Sequence, residues 1–508
     1  MTLLLALSSL LSRFLGVYRN YALATLFGAS ELSDAYFAAF QIPDTIYRLL
    51  VFGAISASFV PLFLQLKKHS REEAWEFVNT TLNGFLALIF IISGLSFFFS
   101  KSLVSIVYPD FGPELQETTH QLLRIMLISP IFFSLSSIFA GIQNAFRNFW
   151  GFALAPLVYN CGIIFGILYL SPNYGIYGVA YGVVIGAFLH SLVQLIPSFY
   201  LGFRWRPRFT WSEPLKKLVI TGIPRIMSMA SFQLNFFIEG IVASTLIVGN
   251  LTVLRYAQDI QSFPIGIIGV SVAIASFAIL SQYVIDDEHA KLAHYIEHKL
   301  DQLLLLMIPA AFGLYVLREH IIELVLAGGV FGVDQVQLTA QVLSYLCFGL
   351  IGASIAPILS RVFFAYHDTI RPFFISFFTI ILNTVLAMYL AKTMGVAGIG
   401  LSNAITATFS ALALIIVLNW KYLPHQRLVN IPRLVLYMGA SGLMAWIVNW
   451  SAGMLPVPDG KIELGLSIVA LTSIGVLSYG LILLVVLRRD LFQMLRTVRQ
   501  REIIARDE

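Results

Sequence analysis

Charged side chains interrupt the apolar runs of a stretch near the start of the chain. Within the apolar runs between Ser12 and Pro61 we single out Arg13, Arg19, Asp34, Asp44 and Arg48. An ionised side chain at bilayer depth costs roughly 2.5 to 3.5 kcal/mol, so such residues normally face a protein interior or an aqueous cavity. Arginine stays charged when partly desolvated, and its planar fork of donors matches phosphate oxygens. The stretch therefore predicts an oxyanion site at depth.

The three arginines can be compared in depth if the stretch folds as a helical hairpin with its turn near residue 29. At about 1.5 Å per residue, Arg13 and Arg48 then lie nearly level, and Arg19 lies closer to the turn. Two interpretations are open: a positively charged cavity, or a closed network in which Asp34 and Asp44 neutralise the arginines. We favour the cavity, because Asp34 lies too near the turn to reach Arg13.

The elements that must position these residues are transmembrane helices. The chain has 508 residues, 58% of them hydrophobic and only 12% charged, with a mean hydropathy of +0.83. A soluble domain carries about twice that charged fraction, and apolar runs of about 20 residues span a bilayer. We predict an all-α polytopic membrane protein, with no cleavable signal before the first helix.

Hydropathy predicts about fourteen transmembrane helices. They lie near 2–26, 33–64, 77–100, 119–146, 151–170, 175–201, 215–247, 251–281, 299–317, 336–365, 372–391, 397–420, 432–453 and 463–487. With a cytoplasmic N-terminus, twenty-one Lys and Arg residues fall in inside segments and four in outside segments. This asymmetry predicts that both termini are cytoplasmic and assigns the net charge of +5 to the membrane surface, with no nucleic acid as partner.

An internal duplication is visible at an offset of about 220 residues. The segment 57–59 (Ala-Ser-Phe) recurs at 275–277, and the Gly175 and Gly178 pair recurs as Gly395 and Gly398. The order and spacing indicate two parallel six-helix lobes, which in transporters enclose a substrate site at their interface. The predicted divisions are an N-lobe at 1–212, a C-lobe at 213–430, two extra helices at 431–488 and a basic amphipathic cytoplasmic tail at 489–508.

The second half carries its own intramembrane charges. Arg225 and Arg255 fall near predicted helix ends, where snorkelling to the interface is the alternative to a site. Asp259 follows Arg255 by four residues, a spacing at which the two charges can pair on one helix face. Glu239 lies deep in the seventh helix and is either a cation-coupling or proton-relay group, or a buried, hydrogen-bonded acid.

A bend is predicted in the eighth helix. Pro264 removes a backbone donor and Gly266 removes side-chain constraint, so the two residues together could form a hinge between lobes. The alternative is that the glycine allows close helix packing.

The first block of the chain resembles a known family. The pattern SRxLGxxRxxxxAxxFG, then DAxxxAFxxP, then an arginine, GA and FVP is similar to that of the MurJ (MviN) lipid II flippases, in the multidrug, oligosaccharidyl-lipid and polysaccharide exporter superfamily. Further similar segments are Phe263-Pro264 with Gly266, and 361–372, which reads RVFFAYHDTIRP. The resemblance covers essentially the whole chain.

The resemblance implies alternating access for an undecaprenyl-diphosphate-linked disaccharide-pentapeptide, whose lipid tail follows a groove at the last two helices. On this interpretation Arg13, Arg19 and Arg48 bind the head group and Asp34 belongs to an outer gate. The sequence departs from the family where Asp259 replaces an arginine of the C-lobe cavity. Arg255 or Arg225 is then the candidate for the missing cation.

Three other functions are weighed against this one. The first is a flippase for another polyprenyl-diphosphate-linked glycan, which would use the same arginines. The second is a drug or cation exporter of the same superfamily, which an arginine-rich cavity disfavours. The third is a membrane enzyme, for which no nucleophile arrangement, histidine pair or P-loop is present.

The expected setting follows from these inferences. We expect a non-enzymatic transporter of the bacterial cytoplasmic (inner) membrane, with no cofactor and no metal. Its expected partners are the lipid-linked substrate and membrane lipids. We expect a functional monomer that acts near the cell-wall synthesis machinery.

Overall fold

The computed structural model describes residues 2–456, 458 and 460–486. The side chains of residues 2–4, 6, 50–58 and 224–232 are outside this description. The predicted tail at 489–508 and the side chain of Arg225 therefore lie outside the described residues.

The secondary structure of the described residues is helical, with loops between the helices and no strand, which confirms the predicted all-α fold class. The helices of the first half are α1 (Thr2–Phe27), α2 (Glu31–Ile46), α3 (Gly53–His69), α4 (Arg71–Phe98), α5 (Ser100–Val107), α6 (Pro113–Met126), α7 (Ser129–Ala145), α8 (Trp150–Phe165), α9 (Ser171–Tyr174) and α10 (Ile176–Tyr200). Those of the second half are α11 (Glu213–Ser244), α12 (Asn250–Pro264), α13 (Val270–Ile285), α14 (His289–Leu326), α15 (Val333–Ala365), α16 (Ile370–Met394), α17 (Val396–Lys421), α18 (Ile431–Ala452) and α19 (Lys461–Val486). Three π-helical segments link neighbouring helices at Tyr47–Phe52, Gly166–Leu170 and Ile265–Gly269.

Each predicted span coincides with one helix or with two consecutive helices. Within the described residues, 11 helical stretches are long and apolar enough to cross a membrane. The first, second and seventh predicted spans are not among these 11, and they hold Arg19, Arg48 and Glu239. The total of fourteen remains a prediction.

Local sequence signals explain where several helices begin. Ser70 precedes α4 and its side chain accepts a hydrogen bond from the Glu73 backbone N–H at 3.3 Å. Asn430 does the same for α18, accepting from the Arg433 backbone N–H at 3.2 Å. Such caps satisfy donors that have no partner within the helix, and acidic residues in the first turn of α4 add a favourable dipole interaction.

The backbone repeats the duplication seen in the sequence. Arg147 and His367 both have φ of 56°, in equivalent turns after α7 and α15. Gly175 and Gly395 have φ of 55° and 61°, values at which a Cβ would be strained, and each precedes a long helix. Two of the π-helical segments, Tyr47–Phe52 and Ile265–Gly269, also lie at matching places in the two repeats. Hydropathy reports burial and not hydrogen-bond register, so the sequence did not predict these segments.

The chain forms two compact units whose boundaries cross the repeats. The first comprises Met1–Ala257, Val325–Val342 and Thr369–Asn403, and the second comprises Gln258–Leu324, Leu343–Asp368 and Ala404–Glu508. The predicted division into lobes at residues 212 and 213 stays a prediction.

Within the first unit, aromatic packing and glycine contacts hold the helices together. Phe59, Phe77 and Phe203 are buried in one cluster that joins α3, α4 and the segment after α10. Where α8 meets α10, a Cβ on Gly162 would lie 2.3 Å from the Gly186 Cα, so only glycine permits this approach.

Within the second unit, the two extra helices pack on α14. Met444 of α18 and Leu471 of α19 share a buried cluster with Leu317. Asp301 of α14 accepts hydrogen bonds from Arg433 Nη1 at 2.7 Å and from the Tyr437 hydroxyl at 3.1 Å. The hydrophobic cluster and this polar clamp together fix α18 and α19 to the body of the unit.

Candidate functional site

Arg19 lies on α1 among neutral oxygens. Its Nε and Nη2 donate to Asn20 Oδ1 at 3.2 and 3.0 Å, and its Nη1 donates to Asn160 Oδ1 at 3.4 Å. Asn160, on α8, is held in turn through Nδ2 by the Ser12 backbone carbonyl and hydroxyl, both at 3.3 Å. Amide oxygens orient a guanidinium without cancelling its charge, so Arg19 remains a cation available to an anion.

Arg48 has a carboxylate partner. It lies in the π-helical segment after α2, and its Nε donates to Asp44 Oδ2 at 2.7 Å. The Arg48 side chain is 56% exposed and the Asp44 side chain 18% exposed. The sequence left open whether Asp44 neutralises an arginine, and in the structure Asp44 pairs with Arg48. The Arg48 side of this ion pair is exposed, and an exposed ion pair contributes little to the free energy of unfolding.

Arg13 is half-buried on α1, six residues before Arg19. The structure thus places Arg13 and Arg19 on α1 and Arg48 in the π-helical segment between α2 and α3, within the first and second predicted spans. Their joint role in binding remains a prediction.

Asp34 is buried near the start of α2 and binds the start of α12. Its Oδ2 accepts from the Gly249 backbone N–H at 2.6 Å. Its Oδ1 accepts from the Thr252 backbone N–H at 2.8 Å and from the Thr252 hydroxyl at 2.6 Å. The carboxylate thus caps the N-terminus of α12, where unpaired N–H groups and the helix dipole both favour an anion.

A second set of contacts joins the same ends to the segment between α14 and α15. The Gln335 side chain accepts from the Ala29 backbone N–H at 3.0 Å and donates to the Ala29 carbonyl at 3.2 Å. The Val330 backbone N–H donates to the Thr25 carbonyl at 3.0 Å. We call residues 25–34, 249–252 and 328–335 the three-strap closure. Its chain connections are among those that the sequence predicts to lie outside the cytoplasm.

Arg255 is buried on α12, 5% exposed, inside the first unit. Its Nη2 donates to Gln41 Oε1 at 2.9 Å and to the Phe236 carbonyl at 3.2 Å, and its guanidinium carbon lies 3.6 Å from the Phe236 ring centroid. Gln41 also accepts from the Tyr108 hydroxyl at 3.1 Å. Arg255 therefore links α2, α11 and α12 and is buried between them.

Glu239 is 1% exposed and lies among three amide side chains. Its Oε1 accepts from Asn235 Nδ2 at 2.9 Å, Asn383 Nδ2 at 2.9 Å and Asn403 Nδ2 at 2.8 Å. The acid thereby connects α11 with α16 and α17. This geometry matches the hydrogen-bonded acid of the two alternatives, and the coupling role remains a prediction.

The remaining predicted residues lie in the second unit. Asp259 is half-buried on α12, and its backbone carbonyl accepts from the Ser262 hydroxyl at 2.7 Å. Pro264 ends α12, and Gly266 lies in the π-helical segment Ile265–Gly269 that follows. A π-helical segment breaks the regular hydrogen-bond register and often marks a functional position, which is compatible with the predicted hinge.

Sequence reasoning missed the amide residues of these clusters. Asn160, Gln41, Asn383 and Asn403 all lie within apolar runs, and Gln335 lies near the start of one. A polar amide at such a position must find a partner, since leaving it unsatisfied costs free energy. That signal was present in the sequence, but it does not identify the partner.

The described residues form 11 helical stretches long and apolar enough to cross a membrane, and this defines the class as a polytopic membrane protein. A solved structure described as "Inward-facing conformation of a multidrug resistance MATE family transporter of the MOP superfamily" matches with a TM-score of 0.67, covering 80% of this chain and 93% of that one at 16% identity. At that identity the likeness shows the fold alone.

Comparisons at higher sequence similarity than this one identify the family of the chain. The family model described as lipid II flippase MurJ matches residues 23–456, so the chain belongs to the MurJ lipid II flippase family. A probable lipid II flippase MurJ from Buchnera aphidicola subsp. Acyrthosiphon pisum is 30% identical over 415 residues, 80% of this chain and 81% of the relative. A solved structure described as lipid II flippase MurJ in an inward closed conformation matches with a TM-score of 0.81 at 25% identity, covering 96% of this chain and 100% of that one.

Proposed function

We propose that this chain carries lipid II from the inner to the outer leaflet of the bacterial cytoplasmic membrane by alternating access. Membership of the lipid II flippase family carries the proposal. A transporter of this class moves its substrate without changing its covalent structure, so no catalytic group is needed. The Arg19 cluster supports the chemistry, because it holds a guanidinium at depth between neutral amides.

The substrate head presents a diphosphate, and the proposed contacts follow from its charge. Arg19 would bind one phosphate with the N–H groups that the amide oxygens leave available. Arg13, on the same helix, and Arg48, beside Asp44, would complete the positive surface. Bidentate arginine contacts to phosphate are strong and directional, so loss of one contact weakens binding without removing the cavity.

The three-strap closure is the proposed outer gate. Asp34, Gly249 and Thr252 share three hydrogen bonds that must break before the straps can separate. In the state described, these bonds are formed. We infer that substrate release requires the start of α12 to leave Asp34.

Arg255 is the proposed replacement for the cation that Asp259 removes. In the closed arrangement it is engaged by Gln41 and stacked on Phe236. Opening of the closure would separate α2 from α12 and free this guanidinium for the diphosphate. Arg225 is the alternative cation, and an Arg255→Ala chain that still supports growth of a flippase-depleted bacterium would favour it.

Three further roles complete the proposal. Glu239 would couple transport to a cation or proton, because it is an acid at depth whose amide partners can rotate to offer oxygens. The Pro264 and Gly266 segment would act as a hinge between lobes formed by residues 1–212 and 213–430. Residues 431–488 would guide the lipid tail.

The proposed setting is a monomer in the bacterial inner membrane with both termini in the cytoplasm. The positive charge bias of the predicted inside segments supports this orientation. The chain would deliver its product to peptidoglycan synthesis machinery on the outer side.

A flippase for another polyprenyl-diphosphate-linked glycan is the second candidate. The acid at Asp259, in place of the family's arginine, favours it, because it changes the charge of the C-lobe part of the predicted cavity. The diphosphate is common to both substrates, so this candidate uses the same arginines.

Exchange of labelled lipid II across proteoliposomes containing the purified full chain tests the proposal. We expect lipid II to become accessible to an external modifying reagent faster than in empty vesicles. A parallel assay with a polyprenyl-diphosphate-linked glycan that lacks the pentapeptide separates the two candidates. Transport of that glycan with no movement of lipid II would overturn the first candidate and support the second.

A further inference from the structure

The segment between α10 and α11 is rich in arginine and aromatic residues and lies on the surface. Residues 204–211 read RWRPRFTW, form neither helix nor strand, and are all exposed. We call these residues the basic-aromatic arm. Neither the substrate site nor the closure uses them.

Two asparagines of α4 hold the arm in place. Asn79 accepts from the Arg206 backbone N–H at 2.7 Å, and its Nδ2 donates to the Arg204 carbonyl at 3.1 Å. Asn83 donates to the carbonyls of Arg206 and Arg208 at 2.8 and 2.7 Å, and accepts from Trp205 Nε1 at 3.0 Å. The arm is therefore a fixed structure along the surface of α4.

The aromatic side chains lie along the same helix. The Phe209 ring occupies the space over Gly84, where a Cβ would approach it to 2.9 Å. Trp211 lies beside Phe209, with ring centroids 6.4 Å apart, and is 62% exposed. Since the predicted span of α4 begins near residue 77, we expect these rings at the depth of the membrane interface, where tryptophan is enriched.

The guanidinium groups are less constrained than the backbone that carries them. Arg204 Nη1 donates to the carbonyls of Phe199 and Phe203 at 3.0 and 2.8 Å. The guanidinium groups of Arg206 and Arg208 have no hydrogen bond or ion pair with any part of the chain that the structure describes. Two exposed cations on a fixed backbone therefore lack an anionic partner within the described protein.

We propose that the basic-aromatic arm is a binding site for the headgroups of anionic phospholipids. Arg206 and Arg208 would bind the phosphodiester, and Trp211 and Phe209 would lie among the glycerol and upper acyl carbons. Basic side chains near an anionic leaflet are attracted to it, and aromatic rings anchor a segment at the interface. The site is independent of lipid II transport, and it would fix the connection between the two repeats to the membrane surface.

Quenching of tryptophan fluorescence by brominated lipids tests this proposal. The purified full chain is reconstituted in phosphatidylcholine vesicles with increasing fractions of brominated phosphatidylglycerol or, in parallel, brominated phosphatidylcholine. The arm signal is defined as the quenching of the parent chain minus the quenching of a Trp211→Phe variant. We expect the arm signal to be quenched at a lower fraction of phosphatidylglycerol than of phosphatidylcholine.

Charge variants then identify the residues responsible. R206Q/R208Q should reduce the preference for phosphatidylglycerol by roughly 25-fold, since each basic side chain near an anionic surface contributes about fivefold. R206K/R208K keeps the charge and should retain most of the preference. K216Q/K217Q removes the same charge a few residues away and should leave the preference unchanged.

Three results would contradict the proposal. One is an unchanged preference in R206Q/R208Q, and another is an equal loss in K216Q/K217Q, which would indicate a general surface charge effect. The third is displacement of the brominated phospholipid by equimolar polyprenyl diphosphate, which would assign the arm to the transport substrate. Failure of lipid II transport would leave all three measurements unaffected.

Discussion

Glu239 follows Arg19 by the 220-residue offset of the internal duplication, and the two residues hold corresponding places with opposite charge. Arg19 connects α1 to Asn160 of α8. Glu239 connects α11 to Asn383 of α16, which occupies the place of α8 in the second repeat. The corresponding helix pairs thus carry a basic cluster in the first repeat and an acidic cluster in the second.

The two clusters differ in how completely their charged group is satisfied. Arg19 is half-buried, and a guanidinium with five N–H donors can bind further acceptors beside the two amide oxygens that it contacts. Glu239 is buried, and three amide N–H groups converge on one of its oxygens. The duplication supplies the helix pair, whereas charge and exposure decide whether it binds a ligand or joins helices.

The largest expected effect concerns stability at the acidic cluster. Glu239→Ala leaves three amide N–H groups without their acceptor, and each unsatisfied buried donor costs about 1 to 3 kcal/mol. We expect the free energy of unfolding to fall by at least about 3 kcal/mol. Chemical denaturation of the purified chain in detergent measures it.

The matched control at this position is Glu239→Gln, which keeps an oxygen acceptor and removes the charge. It should lose less than half as much stability as Glu239→Ala. Equal stability of Glu239→Ala and the parent chain would show that the acid does not hold α11 to α16.

A substitution in the basic cluster should lower the rate of lipid II transport and leave the free energy of unfolding nearly unchanged. Arg19→Ala removes charge-assisted hydrogen bonds to the diphosphate worth about 1.5 to 3 kcal/mol, which corresponds to roughly a 10- to 100-fold loss. Because the side chain is only half-buried, the free energy of unfolding should change by less than about 1 kcal/mol. The rate of lipid II exchange in proteoliposomes measures the first effect, and denaturation measures the second.

Arg19→Lys sharpens the test, because it keeps the charge and loses the fork. We expect its transport rate to lie between those of the parent and Arg19→Ala. Parent-like transport by the alanine variant would exclude Arg19 from substrate binding.

The contrast between the clusters also shows what the sequence could predict. Arg19 and Glu239 were recognisable because ionisable residues are rare at membrane depth. Their partners were not, since Asn160 lies 141 residues from Arg19 and Asn383 lies 144 residues from Glu239 along the chain. Only the packing of helices from the same repeat brings these amides to the charges.

Asp34 and Arg48 show the same dependence on how far the partner lies along the chain. The family resemblance implied that Asp34 belongs to an outer gate, but its partner Thr252 lies 218 residues away along the chain. For Arg48 the partner is local, at Asp44, and the four-residue spacing was readable in advance. Local pairs follow from the sequence, whereas partners between helices require the fold.

A smaller effect is expected where the two repeats meet, at the three-strap closure. Asp34→Asn keeps one oxygen acceptor and places an amide N–H₂ against a donor of α12, at a cost of about 1 to 2 kcal/mol. This cost raises the open population by a factor of roughly 5 to 30. The labelling rate of a cysteine introduced at Ala29 by a membrane-impermeant maleimide added outside the cell reports on that population.

Thr252→Ser is the control for the closure, because it keeps the hydroxyl that Asp34 accepts from. Its labelling rate should equal that of the parent chain with the same cysteine. An Asp34→Asn chain that is labelled no faster than the parent would remove Asp34 from the gate.

The smallest expected effect compares one helical glycine from each repeat. Gly240 lies one residue after Glu239, and a Cβ there would approach Arg255 Nη2 to 2.4 Å and Gln41 Oε1 to 2.6 Å. Gly16 lies on α1 with no atom within 4 Å of its Cβ position. Alanine in a helix is favoured over glycine by up to about 1 kcal/mol, so Gly16→Ala should gain that amount.

Gly240→Ala should gain nothing or lose about 1 kcal/mol, because the added methyl group pushes Arg255 away from Gln41 and offsets the helical preference. Denaturation of both variants beside the parent chain measures the difference, which should be about 1 to 2 kcal/mol. Equal stabilisation by the two alanines would mean that the Arg255 contact with Gln41 contributes nothing to the closed arrangement. In that case the proposed release of Arg255 from Gln41 on opening would not be what controls its access to an anion.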